Sequence, residues 1–244
     1  MRKRLLVLCS LLLLAAVAWG SPMCTNNTLQ YYVMNYGGSS GCALGSLTFS
    51  NFGFQSGGTV QPPTSSGGVN VSTVTGTNTG LSFDGPFGVA AGYSLDDLIS
   101  FAITSPAPSI TNDTLSMQGF GAVGSGSVQV AESLCIGAMY ASDGSCSGTS
   151  QSLDVFANST SQMQSATATF GATGMVDLVK NIIVQGGTSG TSSSAGVSVV
   201  FNTTSSGGGG FPGGGQVPEP DTLLSLGSGL VITSLLFRRK LRKS

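Results

Sequence analysis

Apolar and polar positions alternate in short runs through residues 21–204, and glycine, serine or asparagine punctuates each run. No 3.6-residue period is sustained. In residues 47–54 the alternation places Leu47, Phe49 and Asn51 on one face and Thr48, Ser50, Phe52 and Phe54 on the other. Similar runs predict strands at 69–75, 81–83, 98–104, 114–119, 127–133, 152–156, 166–170, 175–185 and 196–202. Period-two patterning with closely spaced turn signals, carried by β-branched residues, predicts an all-β body, a jelly-roll-like β-sandwich. Helix is expected only at 29–34 and as a turn at 94–98, where Ser94 would cap a turn carrying Asp96 and Asp97.

The two ends break this pattern. Residues 1–4 carry Arg2, Lys3 and Arg4, residues 5–18 are apolar, and Ala18-Trp19-Gly20 supplies small residues before Ser21. Basic, apolar and small in that order describe a secretory signal peptide spanning residues 1–20, entering the Sec translocon and cut between Gly20 and Ser21. Fourteen apolar residues at about 1.5 Å each fall short of a bilayer core of about 30 Å, which disfavours an uncut anchor. Ser21-Pro22-Met23 ahead of Cys24 does not fit a lipoprotein pattern.

At the other end, residues 205–216 are a glycine-rich linker, SSGGGGFPGGGQ, without material for a core. Pro218-Glu219-Pro220 follows, then the uncharged residues 223–237 and a basic run containing Arg238 and Arg239. Cations after a short apolar span stay cytoplasmic, so the body before it lies outside the cytoplasm. The signal peptide demands the same topology. A GPI signal is disfavoured because such tails end apolar.

Export gives the cysteines meaning. Cys9 leaves with the signal, and Cys24, Cys42, Cys135 and Cys146 remain. Four cysteines allow three pairings; the local pairs Cys24–Cys42 and Cys135–Cys146 are expected, each closing a polar loop. No C-x-x-C spacing suggests a metal site.

Charge narrows the function. Only 8% of residues are charged and histidine is absent. From Ser21 to Val217 the body has one cation, Lys180, against Asp84, Asp96, Asp97, Asp113, Glu132, Asp143, Asp154 and Asp177. Such a surface repels nucleic acid. Without histidine the Ser-His and Cys-His nucleophile pairs cannot be built, so no enzyme activity and no cofactor is expected. Asp84-Gly85 and Asp143-Gly144 read as turns. Asp96 and Asp97 are weak calcium candidates, lacking an Asp-x-Asp-x-Asp-Gly loop. Lys180 is expected to face water or pair with Asp177. A carbohydrate surface would have to use Tyr31, Tyr32, Tyr36, Tyr93 or Tyr140, because the mature chain would lack tryptophan. The five Asn-x-Ser/Thr sequons (Asn26, Asn70, Asn112, Asn158, Asn202) are attributed to composition.

The C-terminal arrangement resembles the PEP-CTERM sorting signal of exported bacterial proteins, over residues 217–244. The resemblance implies recognition at Pro218, Glu219 and Pro220 by an exosortase, a membrane span at 223–237, and Arg238 and Arg239 as the cytoplasmic stop. It implies passage through the inner membrane, processing near the motif, and release or transfer to the cell surface or extracellular matrix. Two prolines around one residue hold that segment extended, a conformation open to a processing enzyme. The opening of the body, with Cys24, Tyr31-Tyr32, Gly41-Cys42 and LTFSNFGF at 47–54, is similar to that of many PEP-CTERM proteins and implies a disulfide-closed cap before the first long strand.

These readings lead to a non-enzymatic, structural or adhesive protein of the exopolysaccharide. A carbohydrate- or ice-binding sandwich is the alternative, and a glycosidase using carboxylates alone the third. A threonine array would favour ice, with Thr167-x-Thr169 and Thr73-x-Thr75-x-Thr77 as its only hints.

Overall fold

The computed structural model describes residues 21–60, 63–76, 78–188 and 194–204. These belong to a unit running Met1–Gly208; a second unit, Gly209–Ser244, lies outside the described residues. So do the expected signal segment 1–20, the motif Pro218-Glu219-Pro220 and the expected span 223–237. Among the described residues no helix is long and apolar enough to cross a membrane.

Among the described residues the body is all-β, with fourteen strands in two antiparallel sheets of seven, one short α-helix and a 3-10 turn at Ser66–Gly68. The first sheet contains β1 (Asn27–Thr28), β4 (Asn70–Val74), β5 (Thr79–Ala90), β14 (Ser194–Thr204), β7 (Ile110–Gln118) and β12 (Ser165–Thr173) in that order, with β8 (Gly121–Val123) pairing β14. The second runs β11 (Gln162–Met163), β10 (Thr149–Asn158), β9 (Ser127–Ile136), β13 (Met175–Gln185), β6 (Ser94–Thr104), β3 (Leu47–Gly58), β2 (Cys42–Leu44). Every expected strand is present, most of them longer than the apolar run that signalled it. The turn expected at 94–98 is instead the start of β6: Leu95, Asp97 and Ile99 are buried while Asp96 is exposed, the alternation of a strand.

Phe101 joins the layers. It is fully buried on β6, lies 5.4 Å from the Phe52 ring in a stacked arrangement, and lies 5.6 Å from Phe83 of the opposite sheet. The helix, α1 (Leu29–Tyr36), begins at Thr28, whose hydroxyl accepts from the Tyr31 amide. It lays Tyr32 against Phe52, with ring centres 4.9 Å apart. The Cys24–Cys42 disulfide ties the segment preceding α1 to β2, as expected.

Simple alternation fails inside β3. Its pairing with β6 shifts between Ser50 and Gly53, and Asn51 takes a φ of 57°. This bulge inserts one residue, and asparagine tolerates the left-handed conformation it requires. Leu47, Phe49 and Phe52 therefore all reach the core. Phe52 thus lies on the side of Leu47 and Phe49 and not on that of Thr48, where simple alternation placed it. Beyond the bulge, Gly53 and Gln55 point to the outer surface.

Candidate functional site

The outer face of the second sheet carries a groove of about 860 Å³. Its lining includes a row of register partners crossing four strands, Ser100 on β6, Val179 on β13, Ser133 on β9 and Ser152 on β10, and Gly53 on β3 continues that row beside Ser100. Gln55 and Ser150 extend the lining, and Tyr140, Ala141, Ser142 and Gly144 form one wall. The floor is polar for a positional reason. In β9, β10 and β13 the apolar residues Val130, Leu134, Leu153, Val155, Leu178 and Ile182 face inward, leaving hydroxyls outside. A Cβ on Gly53 would lie 2.5 Å from the Ser100 hydroxyl, so a larger residue there would require that hydroxyl to turn away.

The wall is a short loop held at several points. The Cys135–Cys146 disulfide, the other expected pair, closes it over a separation of 11 residues. Such a closure contributes about 2–4 kcal/mol through the unfolded chain. The Tyr140 amide donates to Asp177 Oδ2 at 2.9 Å, and Ala141 N donates to Ser145 O. Asp143 Oδ1 accepts from both the amide and the hydroxyl of Ser145. Those two bonds hold the Asp143 carboxyl below its usual range. It is thus a turn aspartate, as expected. Burial pushes Asp177 above the usual range, against the opposing pull of the Tyr140 amide. The Tyr140 phenol is also raised, first by burial and then by the charges of Asp177 and Glu132, so it stays a neutral hydroxyl.

The five tyrosines divide between core and surface. Tyr31, Tyr32 and Tyr36 do cluster, edge to face, with ring centres 5.6–6.1 Å apart. Tyr32 and Tyr36, however, are buried. The Tyr32 hydroxyl donates to Thr25 O at 2.7 Å, and burial above all pushes its pKa up to about 12. These two rings are core. The isolated tyrosines are the ones on grooves: Tyr140 here, and exposed Tyr93 beside Thr59, Ser94, Ser125, Gln185 and Thr188 in a second depression of about 490 Å³.

Asp96 and Asp97 are consecutive on β6 and point to opposite faces, so they do not share one site. Among the described residues no three histidine, cysteine or acidic side chains converge on a cation position. Asp97 faces inward beside Ser56 and Thr64, without a hydrogen bond of normal geometry to its oxygens. Burial, moderated by those hydroxyls, raises its pKa above the usual range. Folded Asp97 thus holds its proton to higher pH than unfolded Asp97, so its contribution to stability declines as pH rises from about 4 through the raised value. Asp97→Asn is expected to raise Tm at pH 7 and to change it little at pH 3. Thermal melts at both values check this, and an unchanged or lower Tm at pH 7 contradicts it.

Lys180 neither faces water nor meets Asp177. Three residues apart on one strand, the two point to opposite sides. Lys180 faces the core, fully buried, and its Nζ contacts Glu132 Oε2, its register partner on β9. On the first sheet, Thr167 and Thr169 project from edge strand β12 next to Thr114 and Asn112. The Thr114–Thr167 and Ser116–Ser165 hydroxyls bond one another at 3.0 and 2.9 Å, and a register shift follows Thr169. The threonine array is therefore two strands wide and internally bonded. Thr77 lies outside the described residues.

Comparison with known proteins locates the PEP-CTERM protein-sorting motif at residues 216–240. No curated protein matches the chain. Among solved structures, TmCBM61 in complex with beta-1,4-galactotriose aligns at 11% identity and a TM-score of 0.32, covering 61% of this chain and 86% of that one. The enzymatically active domain of bacteriophage CBA120 tailspike protein 4 aligns at 15% identity and 0.27, covering 62% and 19%. The chain thus carries the sorting signal of an exported protein that an exosortase processes.

Proposed function

We propose that this PEP-CTERM chain is a structural or adhesive protein of the cell surface or extracellular matrix, and that its outer groove holds neutral exopolysaccharide. The observation that carries this reading is the lining itself. Ser100, Ser133, Ser150 and Ser152 offer hydroxyls that both donate and accept, Gln55 an amide, and Tyr140 a ring edge with a neutral phenol. Sugar hydroxyls match such a surface without an ion pair, so binding does not depend on ionic strength. A glycosidase would place two carboxylates across the cleft; those lining positions are taken by hydroxyl, amide and small apolar groups. We read the fold as jelly-roll-like because successive strands pass repeatedly between the two sheets, as β3 to β4, β5 to β6, β6 to β7 and β8 to β9 do.

The order of events starts with the signal peptide and the Sec translocon. The oxidising side of the membrane then permits both disulfides, and the exosortase acts on the tail. Ser133→Trp fills the middle of the floor without touching the core. It is expected to weaken retention on insoluble neutral polysaccharide at least about tenfold, a loss of about 1.4 kcal/mol, with Tm unchanged. Retention of the unaltered protein should stay constant from low to high salt. A panel of neutral polysaccharides with one polyanion as control reads both. Undiminished retention of the Trp variant would remove the groove from this account.

A further inference from the structure

We propose that Lys180 and Glu132 become joined by an amide bond, a covalent cross-link between β13 and β9 in the interior of the body. Register places the two residues directly opposite each other, and both side chains face the core. Val130 and Leu134 flank Glu132 on its own strand, Leu178 and Ile182 flank Lys180, and Ile99 stands opposite Lys180 on β6. All five are buried. An ammonium group carries three donors. Among the described residues Lys180 Nζ bonds only to Glu132 Oε2.

A buried ammonium is tolerated when all its donors are bonded, and costs several kcal/mol in desolvation when they are not. Amide formation draws on the amine and carboxylic acid that result when one proton passes from Nζ to the carboxylate. That pair is a nucleophile and an acyl group held in contact at a fully buried position. Fixed proximity of this kind replaces a very high reactant concentration.

The step balances without a co-reactant. The Nζ lone pair attacks Cδ of Glu132 and a C–N bond forms. One C–O bond breaks, and that oxygen leaves as water, taking one proton from nitrogen. Nothing is oxidised or reduced. The product closes a covalent loop over 48 residues, between strands that the two disulfides leave unlinked to each other. Both charges disappear from the core.

The sequence supplies a direct test. Lys180 is the only lysine or arginine between Ser21 and Val217, hence the only trypsin site in the body. A lysine whose nitrogen is acylated is not cut. Mature protein, reduced, alkylated and unfolded in urea, is expected to resist trypsin throughout the body. Its intact mass should fall one water below that of the reduced chain. Peptic digestion should yield one branched peptide containing parts of β9 and β13. Cleavage after Lys180 at full mass, or a branch from Lys180 to a residue other than Glu132, overturns the assignment. Neither readout requires a variant to fold.

Discussion

Glu132→Leu is expected to lower the stability of the body by about 3–5 kcal/mol, the range for removing one partner of a buried ion pair. The leucine itself fits, since the position lies among Val130, Leu134 and Leu178. What is lost is the acceptor. Lys180 is fully buried, and its only hydrogen bond among the described residues goes to Glu132. In the variant an ammonium without a partner remains between two sheets, or the strand must shift to expose it. If the native pair is joined by an amide the loss is larger, because the variant also gives up a covalent loop over 48 residues. Urea unfolding at pH 7 measures it. A loss below about 1 kcal/mol, the level of an exposed pair, would mean that Lys180 does not lie in the core.

Removal of residues 223–244 is expected to divert the protein to the medium, uncut near Pro218-Glu219-Pro220. The reason is physical access. On the proposed reading, processing requires the motif to be held at the membrane where the exosortase acts, a hold that the apolar run with its basic terminus would supply. At about 1.5 Å per residue, the fifteen residues 223–237 reach only about 22 Å as a helix, short for a permanent anchor and suited to a transient one. Cell fractionation of full-length and truncated chains reads the difference. Surface retention of the truncated chain at the normal level would contradict a sorting role for the tail.

The fold class was legible because one face of nearly every strand is buried, and burial writes period two into the sequence. What alternation hides is anything that changes the count. The bulge at Asn51 reversed the faces of the residues after it, and the only local sign was an asparagine, common throughout this chain. Likewise, Ser94-Leu95-Asp96-Asp97 looked like a capped turn, but β13 pairs with all four residues and tertiary pairing overrode local preference.

The chemistry was less legible than the fold. Lys180 lies in an apolar run beside a carboxylate three residues away, and sequence proximity suggested that partner. Strand geometry forbids it and register supplies Glu132, 48 residues distant. The groove was invisible for the same reason. Gly53, Ser100, Ser133, Ser152 and Val179 form one row only after five strands are aligned, and serine in such a serine-rich chain marks nothing by itself. Both disulfides, by contrast, were readable as local loop closures. Which tyrosines are core was not readable either, because clustering on a short helix marks packing as readily as binding.

The account depends on a chain threaded outward by its two ends and trimmed at the second. Peptide mapping of the surface-located protein by mass spectrometry examines this directly. Expected are an N-terminus at Ser21, a C-terminus near Pro218-Glu219-Pro220 upstream of Leu223, and Cys24–Cys42 and Cys135–Cys146 oxidised. A chain that keeps residues 1–20 and 238–244, with its cysteines reduced and its location cytoplasmic, would contradict it.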